Sequence, residues 1–139
     1  MGICNINKST PQGVCFLIGD KMKVNILGTE YTILFKKYDE EEAFDRRSIA
    51  GYCDGYTKEI VCCDMHTYKG WEHETEQTIQ ASQNLTLRHE IVHAFFNESG
   101  LMDSAFAYDG GWSKNEEMVD WLAIQIPKIY KVFQEVGCL

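Results

Sequence analysis

Residues His89-Glu90-Ile91-Val92-His93 read H-E-x-x-H. On a helix, side chains four residues apart stand one turn above the other on the same face. His89 and His93 can therefore present two imidazoles to one metal ion. Glu90 lies about 100° further round the helix, where it can reach a water held by that ion without being a ligand. Two neutral nitrogens to hold Zn2+ and a carboxylate to take a proton from water are what a zinc hydrolase needs. The competing reading is two surface histidines at chance spacing beside a solvated glutamate. The apolar flank (Leu85, Leu87, Ile91, Val92, Ala94, Phe95 and Phe96) weighs against it, as does the placing of two of only four histidines here.

Such a site needs a third protein ligand and an open fourth position. Asn115-Glu116-Glu117-Met118-Val119-Asp120 offers one on a later helix. Glu116 and Asp120 share a face, so Glu116 can complete a His2Glu set. Asp120 can then accept a hydrogen bond from the free ring N–H of one histidine, fixing its tautomer and plane. Other readings compete. Ser113-Lys114-Asn115-Glu116 fits an S-x-x-E capping box, which would make Glu116 purely structural. Glu117 becomes the ligand if the helix is rotated, and the loop aspartates Asp103 and Asp109 are further candidates.

H-E-x-x-H followed by E-x-x-x-D on a second helix resembles the gluzincin clan of zinc peptidases. The N-E-E-M-V-D-W-L-A segment and the small size look most like the compact ImmA/IrrE-type peptidases of prophages and mobile elements, over roughly residues 50–127. The resemblance implies zinc held by His89, His93 and Glu116, with Glu90 as general base in peptide-bond hydrolysis. It also implies a regulatory protein, such as a repressor, as substrate. Ala123 and Pro127 echo the alanine-rich, proline-ended segment that follows the third ligand in that family, at tighter spacing. A metzincin reading would need Gly at 96 and His at 99, where this chain has Phe96 and Ser99. The alternative class is a binding or regulatory module of a phage or mobile element. There zinc would be structural and a fourth ligand (His66, Asp103 or a cysteine) would close the site.

The chain has 139 residues and is 45% hydrophobic, the size and composition of one domain with a real core. A net charge of −8 argues against a nucleic-acid surface. Its basic pairs, Lys36-Lys37 and Arg46-Arg47, face the acidic stretch from Asp39 to Glu42. No stretch is long and apolar enough to span a bilayer, and Met1 to Ile6 lacks the charged head and apolar run of a secretory signal. Six cysteines including an adjacent Cys62-Cys63 pair, with no C-x-x-C, read as free thiols in a reducing cytosol. The expected partner is a peptide or protein substrate, with no nucleic acid and no membrane.

The elements that must position these residues follow from periodicity. Residues 1–20 read as a loose leader, with a turn at Thr10 to Gly13 and a possible short strand at Val14 to Ile18. Residues 21–139 read as one domain. Lys23–Leu27 and Tyr31–Lys37 are strands joined at Gly28-Thr29. Asp39–Arg47 suits a short helix, and Glu59–Cys63 is an apolar strand paired through a hairpin near Asp54 to Lys58. A long helix runs from Thr75 to Ser99 and stops at Gly100. The last runs from Ser113 to Val136, with a kink or break expected at Pro127. The expected fold is α+β: a small, mostly antiparallel sheet packed on the H-E-x-x-H helix, with the last helix bringing in the third ligand. His66 and His73 read as polar loop histidines, Tyr108 as a packed or exposed loop tyrosine with an oxyanion donor as its alternative role, and Trp71, Trp112 and Trp121 as packing residues, Trp121 in the core.

Overall fold

A computed structural model describes residue 19, residues 21–102 and residues 111–137. The expectations for Thr10 to Ile18, for Asp103, Tyr108 and Asp109, and for Cys4, Cys15 and Cys138 lie outside the described residues. Over the rest the fold is α+β. Strands β1 (Lys21–Ile26), β2 (Thr29–Lys36), β3 (Gly51–Asp54) and β4 (Glu59–Cys63) form one sheet; helices α1 (Glu42–Arg46) and α2 (Glu76–Phe96) pack on it, and α3 (Glu116–Val136) packs on α2.

The strand order is β1-β2-β4-β3. β1–β2 and β3–β4 are antiparallel hairpins, but β4 joins β2 in parallel, so the sheet is mixed. The parallel pairing arises because the chain leaves β2, passes through α1 and β3, and re-enters alongside β2. The first hairpin turns at Leu27 and Gly28, one residue earlier than expected, with φ of 50° and 93°. Two left-handed residues are what a two-residue turn needs to match strand twist, and the Asn25 side chain accepts from the Gly28 N–H at 2.9 Å. The second hairpin turns where expected. There the Asp54 carboxylate accepts from the amides of Tyr56 and Thr57 at 2.8 and 3.1 Å.

Strand β4 is central and covered on both faces, which explains its unbroken run Ile60-Val61-Cys62-Cys63, all buried. Toward α2, Ile26, Tyr31, Ile33, Phe35, Ile60 and Cys62 pack on Ala94, Leu87 and Ile91. On the opposite face, Val61 and Cys63 pack with Phe44 of α1, Met65 and Ile79. Cys53, Cys62 and Cys63 are free thiols. Among the described residues no helix is long and apolar enough to cross a membrane.

Helix α2 begins at the Thr75 cap and is followed by a wider turn, Asn97–Leu101, in which Gly100 takes φ of 78°. Its end is fastened by Glu98, whose carboxylate accepts from Thr29 Oγ1 at 2.8 Å, Tyr31 Oη at 2.9 Å and Lys58 Nζ at 2.5 Å. Both hairpins are thereby tied to the same helix end. Helix α3 lies against α2 through Val119 and Ala123 on Val92, with Leu85, Phe96 and Leu122 around them.

In α3 the break expected as one outcome at Pro127 does not occur, and Trp121 does not enter the core. The helix passes Pro127 unbroken. Proline cannot donate to the carbonyl four residues back, but the Arg88 Nε of α2 donates to that same Ala123 carbonyl at 2.9 Å. Trp121, expected in the core, is 55% exposed, because the face meeting α2 is set by Val119 and Ala123.

Candidate metal centre

The candidate site lies where α2, the start of α3 and strand β3 meet. The Nε2 atoms of His89 and His93 approach to 3.0 Å. Glu116, the first residue of α3, brings one carboxylate oxygen to 3.0 Å from His89 Nε2 and the other to 3.4 Å from His93 Nε2. Each histidine is held from behind. His89 Nδ1 lies 2.7 Å from Asp120 Oδ1, and His93 Nδ1 lies 2.5 Å from the Ser113 carbonyl oxygen. A carboxylate and a carbonyl can only accept, so both Nδ1 atoms carry the proton. In the neutral rings both Nε2 lone pairs then point at one spot, beside a carboxylate. Three acceptors converging with no proton among them repel one another unless a cation lies between them. Donors sharing a tetrahedral ion at 2.0–2.1 Å would stand about 3.3 Å apart, close to the distances found. The residues could therefore hold a metal of that kind.

The first turn of α3 explains why Glu116 arrives there. Trp112–Lys114 forms a tight turn, and Asn115 Oδ1 accepts from the Met118 amide at 3.0 Å. Asn115 is thus the cap, not Ser113, and the competing capping-box reading of Ser113 and Glu116 is not realised. Glu116 is left free to face the histidines. Ser113 contributes its carbonyl to His93 instead, and its buried hydroxyl has no partner among the described residues. Glu117 makes no ion pair with either histidine among the described residues.

Glu90 sits on the sheet side of α2 and is 5% exposed. A carboxylate oxygen lies within 4.8 Å of a ring nitrogen of each histidine. Glu90 and Glu116 thus both approach the cluster, and the shorter separations belong to Glu116. Burial pushes the Glu90 carboxyl up to about 8; the charges of Glu116 and Asp120 add to this, and Arg47 opposes it. The backbone of β3 comes very close to this part of α2. A Cβ at Gly51 would stand 2.9 Å from Thr86 Cγ2 and 3.2 Å from Glu90 Cγ.

No family model, curated protein or solved structure matches this chain.

A cleft of about 910 Å³ opens over the cluster and runs along β3 from Ala50 to Tyr56. Among the described residues, no strand lies along the outer side of β3. The Cys63 amide donates to the Ala50 carbonyl at 2.7 Å. Paired and unpaired residues alternate along an antiparallel ladder, so the outward-facing backbone groups belong to Gly51 and Cys53.

His66 is far from this chemistry. Its Nδ1 lies 2.8 Å from Asp64 and its Nε2 2.9 Å from Glu76, and these two contacts raise its pKa. Neither His66 nor the exposed His73 lines the cleft. Sequence reasoning missed the Ser113 carbonyl, since any residue type supplies one. It also missed Gly51, whose only signal was a glycine opening a short strand.

Proposed function

We propose that this protein is a zinc-dependent peptidase, similar to the gluzincins and most like the ImmA/IrrE-type enzymes. The observation that carries this reading is the convergence of His89 Nε2, His93 Nε2 and the Glu116 carboxylate within 3.0–3.4 Å of one another, with buried Glu90 beside them. His89, His93 and Glu116 would hold the ion. Asp120 and the Ser113 carbonyl keep the two imidazoles in one tautomer. Zinc bound there supplies Lewis acidity toward a carbonyl and lowers the pKa of water. A dication also favours the ionised form of a neighbouring carboxyl, which readies Glu90 as general base. Glu90 takes a proton from the attacking water and returns it to the departing amine.

A peptide is the substrate that best suits the cleft. The outward N–H and C=O groups of Gly51 and Cys53 can pair with an extended chain as an added strand. That chain then passes over the three ligands. A cytosolic regulatory protein, of the host or of a mobile element, is the proposed source of the peptide.

Glu90→Gln tests the reading. It keeps size and hydrogen bonding but cannot accept the proton. The variant should retain about one zinc per chain by elemental analysis, since one His2Glu cluster is proposed. Peptide cleavage should fall by about 100-fold or more, the scale of a lost general base. Unchanged cleavage would remove Glu90 from the mechanism, and wild-type protein purified without any bound metal would sink the assignment.

A further inference from the structure

The cleft has two chemically different ends. At the Asp54 end of β3 it is lined by Gly55, Tyr56, Asn97 and Met102; at the Ala50 end it is lined by Arg46 and Arg47. Sequence reading sets both basic pairs of this region against acidic neighbours, and the structure divides them. Lys36 is paired with Glu41 at 2.6 Å. Among the described residues, neither Arg46 nor Arg47 forms an ion pair with a carboxylate; the charge of Arg47 acts on buried Glu90, and the chain carries a net charge of −8. Several of the acids around them are already engaged. Glu41 is held by Lys36, Asp45 by Tyr38 at 2.8 Å and Lys69 at 3.6 Å, and Asp54 by its turn amides. Glu116 and Asp120 contact the imidazoles. Both arginines are exposed, and their position at the end of α1 leads directly into β3. Two guanidiniums at the mouth of a cleft, free to make forked contacts, suit a carboxylate.

The backbone gives the polarity. An added strand is slightly more stable antiparallel than parallel, so the carboxyl-terminal part of the bound chain lies at the Ala50 end. We propose that Arg46 and Arg47 form a subsite for a substrate carboxylate on the carboxyl-terminal side of the scissile bond. The proposal rests on the peptidase reading for its position in the reaction. The carboxylate comes either from an Asp or Glu side chain or from a free chain terminus.

A set of fluorescein-labelled decapeptides tests it. A single Glu is walked along an Ala-Leu-Ser background, each peptide is matched with its Gln counterpart, and each is made with a free or an amidated terminus. Binding is read by anisotropy on zinc-loaded Glu90→Gln, which requires no turnover. Cleavage sites are read on the wild type by mass spectrometry. Glu peptides should bind about tenfold more tightly than their Gln partners, the scale of a charge-assisted contact at a partly exposed site. Cuts should fall on the amino side of Glu. Sensitivity to amidation instead would assign the subsite to the chain terminus. In R46Q/R47Q the Glu-over-Gln ratio should drop to near one, while zinc content and thermal midpoint match the parent. R46K/R47K, which keeps the charge, should retain part of the ratio. Equal binding of Glu and Gln peptides with either terminus overturns the subsite, as does discrimination that survives in R46Q/R47Q or cuts on the carboxyl side of Glu. Cleavage without carboxylate discrimination removes the subsite and leaves the peptidase. Carboxylate-selective binding without cleavage removes the peptidase and leaves a carboxylate-binding cleft.

Discussion

The contact between Arg88 and the Ala123 carbonyl makes a measurable claim about how α3 tolerates Pro127. Ala123 is 0% exposed, so water cannot reach its carbonyl. Pro127 has no N–H to give it, and the 2.9 Å bond from Arg88 Nε replaces the missing donor. Arg88→Met keeps an unbranched stem and removes the donor. A lost hydrogen bond to a charged group that strands a buried acceptor costs about 1.5–3 kcal/mol. Pro127→Ala restores the helical N–H. Proline in a helix interior is about 3 kcal/mol worse than alanine, and the exposed Pro127 should recover part of that because Arg88 has already satisfied the carbonyl. In the Pro127→Ala background, Arg88→Met should therefore cost on the order of 1 kcal/mol less than in the parent, a coupling within the range measured for contacting residues. Urea unfolding followed by tryptophan fluorescence would read all four corners of the cycle, with an unchanged slope as the check that only stability moved. Additivity to within about 0.3–0.5 kcal/mol would mean that the two residues are independent and the replacement-donor account is wrong.

Chelator competition should show Glu116→Ala weakening zinc far more than Glu117→Ala, because of these two neighbours it is Glu116 that contacts the histidines; the reverse order would mean the phase of α3 is misjudged. Asp120→Ala should cost roughly 10- to 100-fold in zinc affinity through the freed His89 ring, toward the lower figure since its carboxylate is 60% exposed. Gly51→Ala should destabilise the fold by about 1–3 kcal/mol, as overpacking does, because its Cβ meets Thr86 Cγ2 at 2.9 Å. Thr86→Ser should recover part of that loss in urea unfolding, and no recovery would place the strain on the Val61 carbonyl at 3.1 Å instead. Lys58, Thr29 and Tyr31 hold the Glu98 carboxyl below its ordinary range. Its stabilisation is complete above the unfolded pKa near 4.3 and is lost as pH falls through the lower folded value. The stability gap between wild type and Glu98→Gln should therefore be wide at pH 7 and shrink below about pH 4, and a gap independent of pH would deny Glu98 that role.

Local chemistry made much of this protein legible before folding. Four-residue spacing on a helix puts His89 over His93 and Glu116 on the face of Asp120 whatever the rest of the chain does, because helical geometry is set by the backbone. The strands and hairpins follow equally from short apolar runs bounded by turn residues. The α+β class follows from their order along the chain. Other features required the packed chain. Parallel entry of β4 beside β2 depends on where the chain returns, and no residue type encodes it locally. Choosing between Glu116 and Glu117 near the histidines depends on the rotation of α3, set by Val119 and Ala123 packing on Val92. The failed break at Pro127 has the same origin, since a local rule predicts a missing hydrogen bond and only a partner helix can supply another donor. The Ser113 carbonyl behind His93 and the backbone of Gly51 against Glu90 carry no side-chain signature at all. Sequence thus determined which groups could act together along one element. The tertiary structure decided which groups from different elements meet, because those encounters depend on packing distances that no single segment contains.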